Sequence, residues 1–269
     1  MRLLAAALLL ASAAPAAAEG PPPPDPFPGA ARSYLVEAGG RVLWARDPDA
    51  PRLPASLTKI MTALLALEAG GSPEAWIPVR ARAARETGTR LGLRAGDRIR
   101  AGDALAATLV ASANDACLAL AEHVGGGVGP FVERMNRRAA EMGLAATAFE
   151  NPCGHDAPGQ QSSARDLLRL TRVALRIPEF RRLVALQEVS LVTRDGRRLR
   201  GKTGNALLGR LDGAVGVKSG FTPGAGKCLV ALVERDGAEV LAVLLDAETR
   251  WWSASALLEE ALAEAGKGG

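Results

Sequence analysis

Strand signals stand at both ends of this chain, with helical patterns between them. Ser33-Tyr34-Leu35-Val36-Glu37-Ala38 and Arg41-Val42-Leu43-Trp44-Ala45-Arg46 flank Gly39-Gly40. Apolar and aromatic residues on either side of a two-glycine turn predict a β-hairpin, because glycine accepts the positive φ that such a turn requires. At the far end, residues 215–222, 227–234 and 238–246 read as strands, the last two joined around Asp236-Gly237. A helical pattern at 251–265 closes the chain. Two strands, many helices, then three antiparallel strands predict one α+β domain whose sheet unites both chain ends.

The middle is punctuated by glycine. Ser56 to Ala69 is apolar on nearly every side and stops at Gly70-Gly71, which predicts a central buried helix. A second pattern begins at Leu105–Val110, breaks at Ser112-Ala113-Asn114-Asp115, resumes through Ala116–Glu122 and ends at Gly125-Gly126-Gly127. Phe131 to Met142 is amphipathic, and Ser163 to Arg176 follows a capping serine, Ser162 or Ser163. Glu188–Arg194 and Arg197–Arg200 are expected to pair around Asp195-Gly196.

Residues 1–18 begin with Arg2, continue with an apolar core and end in Ala16-Ala17-Ala18. That is the pattern of a cleaved secretory signal, too short for a comfortable membrane span. A proline-rich stretch at 19–30 is expected to be an extended, unpacked spacer before the domain at 31–269. The net charge of +4 is spread along the chain, and only 4% of residues are aromatic. Few stacking platforms and no basic face exclude a nucleic-acid partner, so the Arg-rich stretch 194–202 reads as a solvated hairpin. Three cysteines, Cys117, Cys153 and Cys228, permit at most one bridge, and the sequence does not choose it. Cys117 lies in an apolar helical run and Cys228 in an apolar strand, so both are expected as buried thiols. With two histidines and no ligand spacing, neither a catalytic metal nor a cofactor is expected.

Chemistry enters with Ser56-Leu57-Thr58-Lys59. Residues three apart share a helix face, and a lysine whose pKa is lowered can take a serine proton. Alone the pattern is weak, since a chain of this length holds roughly one Ser-x-x-Lys by chance, and a capping serine beside a solvated lysine reads equally well. Two further motifs follow in order, Ser112-Ala113-Asn114 and Lys218-Ser219-Gly220. Singly, the first is a helix-interrupting pair and the second an edge-strand charge.

The ordered set resembles the penicillin-recognising serine enzymes. Pro54 to Thr62, Ser112 to Cys117, Asp156 to Gln160 with Ser162 to Asp166, and Lys218 to Thr222 followed by Ala225 to Val230 are similar to the low-molecular-weight D-alanyl-D-alanine carboxypeptidases. The resemblance runs from about Ser33 to the last helix. It implies a DD-peptidase/β-lactamase-like fold, with helices on both faces of the sheet and a mainly helical insertion. It also implies a substrate, a peptidoglycan stem peptide ending in D-Ala-D-Ala, with β-lactams as inhibitors, in the periplasm or cell envelope.

On this resemblance Ser56 is the nucleophile, Lys59 its base and Ser112 the proton relay. Lys218 would keep Lys59 neutral by like-charge repulsion. Asn114 holds Lys59 and the substrate amide. Lys218, Ser219 and Thr222 face the terminal carboxylate, and the amides of Ser56 and Phe221, next to Gly220, form the oxyanion hole. Arg250 is a weaker carboxylate candidate against a surface arginine at a helix start. Ser219 departs from the family's usual threonine but keeps its hydroxyl. A literal Lys202-Thr203-Gly204 reads as a decoy, because no apolar strand follows it. Trp251 and Trp252 are expected in the core or its rim, leaving no obvious membrane anchor after signal cleavage. The competing functions are an endopeptidase cutting peptidoglycan cross-links, a β-lactamase, for which only Glu150-Asn151 offers a nearby acid, and a non-enzymatic wall-binding module.

Overall fold

Gly39 and Gly40 take φ of +56° and +87° and close the predicted hairpin between β1, Ser33–Ala38, and β2, Arg41–Arg46. A computed structural model describes residues 22–267, so the proposed signal segment at 1–18 lies outside the described residues. After a 3-10 turn, Ala55–Thr58, come α1, Lys59–Glu68, β3, Trp76–Pro78, α2, Ala81–Ala84, and β4, Arg98–Arg100. Helices α3, Ala101–Leu109, α4, Asn114–Gly125, α5, Val128–Glu141, α6, Ala164–Leu175, and α7, Pro178–Val184, form the middle of the chain. Then follow β5, Glu188–Val192, β6, Arg198–Lys202, β7, Ala214–Thr222, β8, Gly226–Arg235, β9, Ala238–Leu245, and α8, Arg250–Gly266.

The main sheet has the order β2-β1-β9-β8-β7 with every pairing antiparallel. Its centre is the pairing of β1 with β9, Ser33 opposite Leu245 and Ala38 opposite Val240, which joins the two chain ends as expected. Strand parity sends alternate side chains to opposite faces. Cys228, Val230 and Leu232 of β8 enter one core with α1, α3, α4 and α6, while Leu229, Ala231 and Val233 enter another with α8. Both faces are covered, which is why these strands read as unbroken apolar runs rather than alternating ones.

Helix α1 is the helical core's axis: Lys59 through Leu65 are all buried. Two features differ from the sequence reading. Ser56 lies in the tighter 3-10 turn before α1, not in the helix proper. The proline-rich stretch from Pro22 is not free. Trp44 Nε1 donates to Pro23 O at 3.1 Å, Tyr34 donates to Asp25, and Phe27 packs edge-on to Trp252 with centroids 6.4 Å apart. Such local proline composition carries no information about side-chain partners arriving from β1, β2 and α8. The hairpin around Asp195-Gly196 forms as expected, as a separate two-stranded sheet of β5 and β6. The short pair β3–β4 and helices α2 and α7 carry too few residues for a periodic signal.

Asp115, next to Asn114 on α4, is fully buried and organises the loop that follows α2. Its carboxylate accepts from Leu91 N at 3.2 Å, Gly92 N at 2.9 Å and Leu93 N at 3.0 Å. The same loop receives Asn114, whose backbone N donates to Thr89 O at 2.7 Å. Removing the carboxylate leaves the buried Leu93 amide without its acceptor, which costs about 1–3 kcal/mol, and frees the partly shielded Leu91 and Gly92 amides as well. Asp115→Ala is therefore expected to lose about 3 kcal/mol in chemical denaturation, well beyond an ordinary surface change. A loss below about 0.5 kcal/mol would mean that water replaces the carboxylate freely.

Candidate active site

The turn that carries Ser56 is held open by backbone strain and glycine. Ala55 has φ +48° and Ser112, between α3 and α4, has φ +57°, both in the left-handed region that costs a residue with a Cβ. Two glycines then let other segments close onto Ser56. A Cβ on Gly220 of β7 would lie 2.8 Å from Ser56 N, and one on Gly154 would lie 1.9 Å from Ala55 O. No larger residue fits at either position.

Lys59 is fully buried, and its Nζ has three oxygen neighbours: Ser56 Oγ at 3.0 Å, Asn114 Oδ1 at 2.7 Å and Cys153 O at 2.5 Å. Asn114 is itself fixed, its Nδ2 donating to Thr87 O at 2.6 Å. Burial is the first cause that drives the Lys59 pKa well below the ordinary lysine value, and the charge of Lys218 is the second, with Glu86 opposing. Both causes, burial and a neighbouring cation, were expected from the sequence, and burial comes first. A neutral amine keeps two N–H groups and one lone pair. Donation to Asn114 Oδ1 and Cys153 O uses both N–H groups, and the lone pair is left for the Ser56 hydroxyl.

Lys218 also points inward from β7 and is buried. Its Nζ donates to Ser112 Oγ at 2.8 Å and to Ser219 O at 2.9 Å. Burial, followed by the nearby charge of Arg250, lowers its pKa to about 7. Ser219 Oγ donates to Gly204 O at 3.2 Å, so the segment after β6 flanks the open edge of β7. Ser56, Lys59, Ser112, Asn114, Lys218, Ser219 and Gly220 therefore converge. Phe221 is 61% exposed at the rim of the same edge. Thr222 stands apart: its hydroxyl donates to Asp156 Oδ1 at 2.5 Å and accepts from Ala225 N at 3.0 Å, closing the turn into β8.

Arg250 is not the solvated arginine of the simpler reading. Its Nη1 donates to Gly220 O at 2.5 Å and Cys228 O at 3.1 Å, and its guanidinium stacks on Trp251 at 4.2 Å. Lys202 of the literal Lys-Thr-Gly is exposed beside Glu188 at 3.8 Å. Of the tryptophans expected in the core or its rim, Trp251 packs against the core on the α8 face, and Trp252 is 70% exposed at its rim, edge-on to Phe27.

Three contributors carried no sequence signal: the Cys153 carbonyl, Gly154, and the Glu86–His155 hydrogen bond, with Oε2 and Nε2 2.6 Å apart. Cys117, expected as a thiol, is bonded to Cys153, while Cys228 is free and buried. The loop after Asn151 brings Cys153 to 6.0 Å from Cys117, Cα to Cα, within bridging range. Among the described residues no cluster of His, Cys, Asp and Glu is placed to hold a metal ion, and no helix is long and apolar enough to cross a membrane.

A serine hydroxyl on a buried amine, beside a second serine–lysine pair and an open strand edge, defines the class of serine DD-peptidases. The chain belongs to the D-alanyl-D-alanine carboxypeptidase family, whose sequence profile matches residues 24–249. It is 32% identical over 225 residues to D-alanyl-D-alanine carboxypeptidase DacF of Bacillus subtilis, across 82% of this chain and 58% of that protein. It is 36% identical over 224 residues to DacD of Escherichia coli, across 78% and 56%. The chain thus spans under three-fifths of the length of these two relatives. A D-alanyl-D-alanine endopeptidase of Pseudomonas aeruginosa is 32% identical over 214 residues, across 77% and 68%. The crystal structure of the Streptomyces K15 DD-transpeptidase superposes with a TM-score of 0.82 at 27% identity, across 87% of this chain and 97% of that one.

Two buried lysines have a thermodynamic consequence independent of catalysis. In the folded state Lys218 binds its proton only below about 7, whereas in the unfolded chain it does so up to the ordinary 10.5. Between those values the unfolded state holds more protons, so stability rises with pH. The cost of burying Lys218 is complete below pH about 7 and vanishes above the unfolded value. Lys218→Met is expected to be more stable than the parent by about 2 kcal/mol or more in mildly acidic buffer. The gap should close as pH rises toward 10, followed by denaturant melts across the range. A variant less stable at every pH would show that the buried charge is not a net cost.

Proposed function

We propose that the protein is a serine D-alanyl-D-alanine carboxypeptidase. It removes the terminal D-alanine from peptidoglycan stem peptides through an acyl-enzyme on Ser56, and penicillins acylate the same oxygen. The observation that carries this reading is the coordination of Lys59: its two donor sites are occupied by Asn114 Oδ1 and Cys153 O, and Ser56 Oγ lies 3.0 Å away as the remaining neighbour.

Lys59, neutral, takes the Ser56 proton as Oγ attacks the carbonyl carbon between the two D-alanines. The carbonyl oxygen becomes an oxyanion held by the amides of Ser56 and Phe221, an interaction of a kind worth about 3 kcal/mol per donor. Gly220 lets β7 approach closely enough for both amides to serve. Ser112, hydrogen-bonded to Lys218, passes a proton to the departing amine and takes in its place the proton that Lys59 received from Ser56, so the C–N bond breaks, D-alanine leaves neutral at nitrogen and Lys59 is again a neutral base. Lys218 and the Ser219 hydroxyl bind the substrate's terminal carboxylate, and Asn114 binds its amide. Arg250 braces β7 through the Gly220 carbonyl, and Thr222 braces the strand's end through Asp156. Water, deprotonated by the same base, then attacks the ester carbon and restores the Ser56 hydroxyl.

The site of action in this reading is the periplasm or cell envelope, reached through the signal at 1–18. A disulfide beside the base is consistent with an oxidising compartment. The likeness to the Pseudomonas endopeptidase favours a second reading, in which the leaving group is the cross-linked stem of a neighbouring strand.

Intact mass with excess benzylpenicillin tests the mechanism. The expected result is one drug mass on the wild type, none on Ser56→Ala, and acylation slowed by about 100-fold to 10,000-fold in Lys59→Met. Release of D-alanine from a pentapeptide identifies the carboxypeptidase, and cleavage of a cross-linked dimer in preference identifies the endopeptidase. Rapid, Ser56-dependent destruction of the drug would identify a β-lactamase. A folded wild type that neither binds nor destroys the drug would sink the acyl-enzyme and return the wall-binding reading.

A further inference from the structure

The loop that carries Cys153 presents its backbone in one direction. Asn151 Oδ1 accepts from Cys153 N at 3.2 Å, Gly154 N at 2.7 Å and His155 N at 3.0 Å. With these amides drawn together, successive carbonyls reach α1. Pro152 O accepts from Thr62 Oγ1 at 2.6 Å, and Cys153 O accepts from Lys59 Nζ at 2.5 Å. Lys59 and Thr62, three apart, share one face of α1, and Asn114 and Cys117 share one face of α4.

The disulfide joins the two segments that supply both acceptors to Lys59. A closed ring of contacts results. It runs from Lys59 to Asn114, along α4 to Cys117, across the sulfurs to Cys153, and through the Cys153 carbonyl back to Lys59. Both cysteines are buried, so the link lies inside the site's wall rather than on the surface.

We propose that the Cys117–Cys153 disulfide is a positioning device for the catalytic base, fixing the spacing of Asn114 Oδ1 and Cys153 O so that the Lys59 lone pair faces Ser56. The proposal rests on the reading of Lys59 as that base. Forming the link is a thiol–disulfide exchange: two thiols give two electrons and two protons to a partner disulfide, which leaves as two thiols. A chain folded with both thiols free therefore carries every catalytic side chain but an incompletely fixed base.

Without the link, the Cys153 segment is held by hydrogen bonds, among them those from its amides to Asn151 Oδ1 and from Thr62 Oγ1 to Pro152 O, and none of these engages the Cys153 carbonyl itself. A displacement of about 1 Å in the reacting geometry costs about 100-fold in rate. Water reaching Lys59 also relieves its burial. The charged groups facing it are Lys218 from β7 and Glu86 from the segment after α2, and neither is covalently tied to the sulfurs. Relief of burial raises the affinity of Lys59 for a proton, so more alkaline conditions are needed to free its lone pair.

The test compares benzylpenicillin acylation rates, as a function of pH, for the wild type, Cys117→Ala/Cys153→Ala, and wild type refolded with free thiols. The last sample is then reoxidised with glutathione disulfide. The unlinked forms are expected to acylate about 10-fold to 100-fold more slowly at neutral pH. Their acid limb should move to higher pH, and reoxidation should restore the wild-type profile. The refolded sample keeps the test decisive if the double variant does not fold. Unlinked protein with native circular dichroism and an unchanged rate and pH profile overturns the positioning role. Acylation of Lys59→Met at the wild-type rate overturns instead the base assignment on which the proposal rests.

Discussion

One amine removed from water organises this molecule. Lys59 begins a helix whose first seven residues, Lys59 to Leu65, are all buried, and an ammonium there would forfeit a hydration energy of several kcal/mol. The fold answers that cost by weakening the amine's hold on its proton. Burial lowers the pKa of Lys59, and Asn114 Oδ1 and Cys153 O accept from its Nζ. A solvated lysine at the same position would stay charged and could accept no proton. The apolar character of α1, which reads as ordinary core, is thus a condition for the base role proposed for Lys59. Lys218 repeats the arrangement on β7, less completely, with its pKa lowered only to about 7. A group poised there is partly charged near neutrality.

Bringing these two amines together is the work of the sheet. Lys59 follows the first hairpin and Lys218 belongs to the closing strands, and the antiparallel pairing of β1 with β9 seats both on one framework. Strand β7 is the sheet's edge, so its outer backbone is open while its inward residues touch the helical core. The price of this convergence is local: left-handed φ at Ala55 and Ser112, and obligatory glycine at positions 154 and 220. Strain of this kind persists only where the surrounding packing over-determines it.

Much of this was readable from residues, and what was not has a common cause. Gly39-Gly40 announced β1 and β2, the apolar runs announced β8 and β9, and the three ordered motifs announced side chains that do converge. Those signals are local, set by backbone conformation or by residue type. The Cys153 carbonyl is contributed by a backbone atom, which any residue could supply. The bridge from Cys117 depended on where a loop returns, and the packing of Phe27 depended on α8 arriving from the other chain end. Ser56 read as the start of a helix because a 3-10 turn and an α-helix differ by one hydrogen-bond step that composition does not encode.

The two Lys-x-Gly segments show how little of a site resides in its motif. Lys202-Thr203-Gly204 carries the commoner residue at its centre, whereas Lys218-Ser219-Gly220 carries serine. Parity and partners separate them. On β7, the positions of Lys218 and Gly220 face inward together, so one side chain reaches Ser112 while the other, by its absence, admits Ser56. On β6, in a two-stranded ribbon, Lys202 has only Glu188 and solvent to meet. A lysine with water available keeps its proton and its mobility. The same residue on an edge strand packed over a helical core loses its mobility and holds its proton less firmly. The hydroxyl between lysine and glycine is common to the two segments, so the strand beneath it, rather than the choice of serine or threonine, decides which segment can meet a substrate.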